Sequence, residues 1–183
     1  EGSQGSCPTS LASFGYSVYF CADDGTHGSE LWCLNVSTGA TTLVADIVSG
    51  GESSFPRELT AAGSTLYFTA DDGIHGRELW QTSSELGASL AKDIFPGSGS
   101  STPQSLSAMG STLCFLADDG AYSLRLWLAY EWSNRIYVEP FYRLQQLKGD
   151  ACPKYFTDVN GKLYFSTDDE VHGRELWQYY NIN

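Results

Sequence analysis

Four segments of this 183-residue chain align without a gap: YFCADDGTHGSELW (19–32), YFTADDGIHGRELW (67–80), CFLADDGAYSLRLW (114–127) and YFSTDDEVHGRELW (164–177). Their closing tryptophans, Trp32, Trp80, Trp127 and Trp177, lie 48, 47 and 50 residues apart. The match runs upstream, where Pro8, Pro56, Pro103 and Pro153 each stand 11 residues before the first motif residue. It also runs downstream, where copies one and two share an apolar segment ending in Asp-Ile, LVADI (43–47) and LAKDI (90–94). A fixed period this long means that one supersecondary unit is built four times and buries its apolar faces against its neighbours. The copies fall at about residues 7–54, 55–101, 102–151 and 152–183 of a single repeat domain.

Each copy reads as β. Leu66-Tyr67-Phe68-Thr69-Ala70 is short and aromatic, Asp71-Asp72-Gly73 breaks it, and Glu78-Leu79-Trp80 resumes, the pattern of two strands joined by a tight polar loop. Alternation sets Leu66, Phe68 and Ala70 on one face and Tyr67 and Thr69 on the other. Bulk on both faces suits a small sheet sandwiched between two others. With the segment after each Pro and the LVADI-type segment, a copy holds about four strands. This predicts an all-β fold, a four-bladed β-propeller, with an open array of stacked small sheets as the alternative. The fourth copy stops at Tyr179-Tyr180-Asn181-Ile182-Asn183, before any LVADI counterpart, so its sheet is expected to lack a final strand and to expose an edge. Only Tyr142-Arg143-Leu144-Gln145-Gln146-Leu147 suggests a turn of helix.

The residues Glu30-Leu31-Trp32, Glu78-Leu79-Trp80 and Glu175-Leu176-Trp177, with Asp93-Ile94-Phe95-Pro96-Gly97, resemble the ELWxxDGT-repeat proteins, tandem arrays of secreted or surface proteins. The resemblance implies a propeller-like β fold, an extracellular setting and no established enzymatic activity. The downstream DGT is absent, and copy three puts Arg125, Tyr122 and Ser123 where the pattern has Glu, His and Gly.

Charge narrows the function. Ten Lys and Arg against 22 Asp and Glu give a net charge of −12, which argues against nucleic-acid binding. No apolar run reaches the roughly 20 residues of a membrane helix, so no membrane insertion is expected. The opening EGSQGSCPTS suits what remains after a secretion signal is removed. Five cysteines without CxxC spacing suit an oxidising compartment. Cys7 and Cys152 share one repeat position and are candidates for a bridge, as are Cys21 and Cys33 across one hairpin; Cys114 reads as a buried thiol. Asn35-Val36-Ser37 is a glycosylation sequon at Asn35.

The recurring polar cluster is Asp-Asp-Gly-x-His-Gly-x-Glu. His27, His75 and His172 with nearby carboxylates have the chemistry to ligate zinc if the loops converge. The structural reading outweighs this, since Asp and Gly at these positions build tight turns. Calcium is the better ligand candidate, at Asp23, Asp24, Asp71, Asp72, Asp118, Asp119, Asp168 and Asp169, although the spacing is not that of an EF-hand. No other cofactor is expected. The chain has no GxSxG, HExxH or phosphate loop, and no enzyme is expected. The aromatics Tyr19, Tyr67 and Tyr164 suit an inter-sheet core or, alternatively, sugar stacking. Off-pattern aromatics gather in AYEWSNRIYVEPFYRLQQLKG, where Tyr130, Trp132, Tyr137, Phe141 and Tyr142 are interaction candidates. The expectation is an extracellular structural protein that self-assembles into a filament, appendage or layer, the alternative being a monomeric glycan-binding module. The partner is therefore a second copy of the chain, or a glycan.

Overall fold

The computed structural model describes residues 5–85, 87–121, 124–141, 153–168 and 171–180. The predicted helical turn at 142–147 lies outside them. The described residues form fifteen strands in four antiparallel sheets. The first sheet holds β1 (Thr9–Phe14), β2 (Ser17–Asp23), β3 (Ser29–Asn35) and β4 (Thr41–Ala45); the second holds β5 (Arg57–Ala62), β6 (Thr65–Asp71), β7 (Arg77–Thr82) and β8 (Ser89–Lys92). The third holds β9 (Gln104–Met109), β10 (Thr112–Ala117), β11 (Arg125–Trp132) and β12 (Arg135–Pro140), and the fourth β13 (Lys154–Val159), β14 (Lys162–Asp168) and β15 (Arg174–Tyr180). Each sheet is an up-and-down meander in chain order.

The register repeats as the sequence does. Phe20 opposes Trp32, Phe68 opposes Trp80, Phe115 opposes Trp127 and Phe165 opposes Trp177. The first strand of every sheet carries an irregularity, marked by a left-handed residue at Ser10, Glu58, Ser105 and Tyr155. Such a bulge bends and twists the strand.

Alternation decides how the sheets stack. The forward face of the first sheet (Tyr19, Leu31, Cys33 and Val44) packs on the rear face of the second (Leu66, Phe68, Ala70 and Trp80). The forward face of the second (Tyr67, Leu79) packs on Leu113, Phe115, Ala117 and Trp127 of the third. Cys114, Leu116, Leu126 and Leu128 of the third meet Leu163 and Phe165 of the fourth, with Trp177 packed alongside. Every interface therefore uses the same two surfaces. Each large apolar side chain fully buried there contributes about 1.5–3 kcal/mol. The first strands touch in order, β1 with β5, β5 with β9 and β9 with β13.

Candidate functional site

The Asp-Asp-Gly loops are self-contained turns. Asp23 Oδ1 accepts from the Gly25 N–H at 2.7 Å, while Asp24 Oδ1 accepts from the N–H groups of Thr26 and His27, both at 2.9 Å. The second carboxylate oxygen of Asp24 meets His27 Nδ1 at 2.9 Å. The loop of copy two repeats this atom for atom, with Asp71 on Gly73, and Asp72 on Ile74 and His75, the ring at 2.7 Å. In copy three Asp118 and Asp119 accept from Gly120 and Ala121, and Asp119 pairs with Arg125 in place of a histidine. Asp168 ends β14, opposite Arg174, and Asp169 lies outside the described residues. The first Asp of each described pair thus spends an oxygen on the backbone of its own turn. No group of three or more His, Cys, Asp or Glu stands together in metal-binding geometry among the described residues.

The turns are pH-responsive. Hydrogen bonds from the His27 backbone and ring hold Asp24 at about 2. Hydrogen bonding to Asp24 and Asp72 raises His27 and His75 above their ordinary 6.5. A raised histidine stabilises the fold below its ordinary pKa, and that stability is lost as pH rises through the folded value. Thermal stability is therefore expected to fall as pH rises above the ordinary histidine value of about 6.5. Asp72→Asn should flatten this slope in paired melts; an unchanged slope would contradict the assignment.

The glutamates of the first two Glu-Leu-Trp segments, Glu30 and Glu78, have a role that sequence reasoning missed. Glu30 and Glu78 are both 0% exposed. Glu30 accepts from the N–H groups of Ile47 (3.2 Å), Val48 (3.4 Å) and Ser54 (3.0 Å) and from Ser54 Oγ (2.5 Å). Glu78 does the same for Ile94, Phe95 and Ser101. Each carboxylate gathers the crossover that carries the chain from one sheet to the next. Burial pushes both groups up, partly offset by the hydrogen bonds they accept. Gly28 and Gly76, which follow the histidines of the first two copies, let the crossover pass close by. A Cβ on Gly76 would stand 2.6 Å from the Gly99 carbonyl, and one on Gly28 would strike that of Glu52. In copy three Arg125 replaces the glutamate and lies over the Trp127 ring at 5.5 Å.

The outer faces of the stack are incomplete versions of its interfaces. Leu31, Leu79 and Leu126 are 0%, 0% and 2% exposed, but Leu176, at the same repeat position, is 74% exposed. At the opposite end, the rear face of the first sheet forms a groove of about 420 Å³ lined by Pro8, Leu11, Val18, Phe20, Trp32 and Leu34. Val18, Phe20 and Trp32 are the counterparts of Leu66, Phe68 and Trp80, which receive the preceding sheet within the chain.

No protein-family model matches this chain, and no curated protein does. Among solved structures it is similar to the computationally designed protein Ika8, with 17% identity and a TM-score of 0.47, over 94% of this chain and 46% of that one. The chain thus spans less than half the length of that structure.

The off-pattern aromatics divide. Tyr130 and Tyr137 stack at 5.7 Å and 16°, with Tyr130 Oη donating to Glu139 at 2.9 Å, and Trp132 near the hairpin tip is 67% exposed. Phe141 packs edge-on against Tyr179 at 4.5 Å, inside the interface between sheets three and four. Tyr142 lies outside the described residues. Tyr19 and Tyr67 are buried in the inter-sheet core, not presented as stacking platforms.

The cysteine pairing expected across the first hairpin is not formed: Cys21 and Cys33 are buried free thiols. Cys21 opposes Leu31 and Cys33 opposes Tyr19, so the two thiols are diagonal neighbours. Diagonal residues sit roughly 7–8 Å apart, whereas a disulfide holds its Cβ atoms at about 3.8 Å. Cys7 is an exposed free thiol, and its candidate partner Cys152 lies outside the described residues. Cys114 is a buried thiol pushed up to about 12 by desolvation. The sequon amide is already engaged. Asn35 Nδ2 donates to Glu85 Oε1 at 2.8 Å, and Oδ1 accepts from the N–H groups of Ser37 and Thr38.

Proposed function

We propose that this chain is an interaction module, not an enzyme, that associates head to tail with further copies of itself as a structural subunit of an extracellular assembly. The observation that carries the reading is Leu176. Three equivalent leucines are buried by the rear face of a following sheet, and the fourth stands on a forward face ready for another. The matching rear face is the apolar groove of the first sheet. An open array, not a closed four-blade ring, leaves both faces available. Contact between two different surfaces of one chain is heterologous, and such contacts propagate into fibres unless their rotation closes a ring.

The extracellular setting rests on the resemblance to ELWxxDGT-repeat proteins. Sedimentation velocity over a concentration series tests the reading. Wild-type protein is expected to gain mass with concentration, and Leu176→Asp to stay monomeric. A wild type that remains monomeric at the highest concentration would overturn it.

A further inference from the structure

Independently of self-association, we infer that the cleft between the second and third sheets is a binding site for a neutral saccharide. The seam one repeat earlier, between the first and second sheets, is closed. There the loop after β7 folds back onto the first sheet: Glu85 Oε1 accepts from Ser17 Oγ at 2.6 Å and from Asn35 Nδ2 at 2.8 Å, and the Gly87 N–H donates to the Val44 carbonyl at 2.8 Å. The chain's own polar groups fill that seam.

At the next seam the divergent unit replaces this loop with a straight hairpin. β11 runs for eight residues and turns at Ser133 and Asn134, both left-handed, into β12. The hairpin leaves a cleft of about 570 Å³. Thr65 and Ser83, at the repeat positions of Ser17 and Asn35, line it without an equivalent of Glu85. The carboxylate that the hairpin does supply, Glu131, is held to one side by Ser64 Oγ at 2.5 Å. Gln81 shares the face of β7 that Leu79 presents to the third sheet, and its buried Oε1 has no hydrogen-bond partner among the described residues.

The chemistry of the lining selects the ligand. A buried amide oxygen without a donor carries an uncompensated desolvation cost, which a ligand hydroxyl would recover. Hydroxyls, an amide and one carboxylate offer both donors and acceptors, the complement of a sugar's paired O–H groups. An apolar ligand would leave the Gln81 oxygen without a donor. An anion would face Glu131 on a chain of net charge −12. The volume falls within the roughly 300–1,000 Å³ of small-molecule sites.

Saturation-transfer difference NMR on the full chain tests the site, because it reads bound sugars whatever the size of the protein assembly. Cellobiose, maltose, lactose and diacetylchitobiose serve as probes at about 1 mM. At least one is expected to give a saturable signal that Glu131→Ala and Gln81→Met each weaken tenfold or more and that Trp132→Ala leaves intact. Glu131 lies on the exposed hairpin, so its variant keeps the test valid should Gln81→Met disturb packing. No signal from any probe would overturn the inference. So would a signal that survives Glu131→Ala or disappears with Trp132→Ala, since the sugar would then sit on the exposed aromatic side of the hairpin.

Discussion

Replacing Glu78 with Ala is expected to destabilise the protein by about 2–4 kcal/mol, among the largest losses any single substitution here would cause. The carboxylate gathers three N–H groups and one hydroxyl from the crossover between sheets two and three. Alanine leaves those donors buried without an acceptor, and their desolvation is then uncompensated. Glu78→Gln keeps one acceptor oxygen but turns an amide toward N–H donors, so an intermediate loss is expected. Because burial raises Glu78, its ionised form is the costly one: its contribution is fully present below its ordinary 4.5 and is lost as pH rises through the folded value. The deficit of Glu78→Ala in urea unfolding should therefore grow as the medium is made acidic. A loss below about 0.5 kcal/mol, typical of surface positions, would contradict the role assigned to the glutamate.

A second large effect is expected at Gly76. Its φ of +69° already penalises any side chain, by about 1–2 kcal/mol. A Cβ there would also stand 2.6 Å from the Gly99 carbonyl, and a backbone oxygen has little room to retreat. Gly76→Ala is therefore expected to cost about 2–4 kcal/mol. Gly173 provides the control. It has φ +78°, but among the described residues no atom comes within 4 Å of where an alanine methyl would stand. Gly173→Ala should therefore show the conformational cost alone. Equal losses at the two sites in denaturant unfolding would refute the close crossover packing.

Much of the fold was legible because the repeat imposes the same physics four times. The alternation of Leu66, Phe68 and Ala70 against Tyr67 and Thr69 assigns the faces, and the Asp-Asp-Gly turns follow from local backbone hydrogen bonding. The glutamate hub was not legible. Glu78 bonds residues 16 to 23 positions ahead, and nothing in a linear pattern separates that role from a loop tie. Cys21 and Cys33 look paired when only the hairpin is counted, but the register shifts them to a diagonal. Leu176 is indistinguishable in sequence from Leu31, Leu79 and Leu126, because its exposure depends on what lies beyond its sheet. The open cleft is equally hidden. It arises from the difference between a loop that folds back through Glu85 and a hairpin that does not.

If two different faces of one chain recognise each other, complementary variants must restore association when mixed. Val18→Asp places a charge in the groove of the first sheet, and Leu176→Asp places one on the forward face of the fourth. Each variant retains one intact face and, alone, is expected to sediment as a monomer. Mixed in equal amounts, the two should form a dimer that grows no further, because the intact groove of one meets the intact leucine face of the other. A mixture that stays monomeric while wild type associates, or a single variant that still associates fully, would contradict head-to-tail recognition.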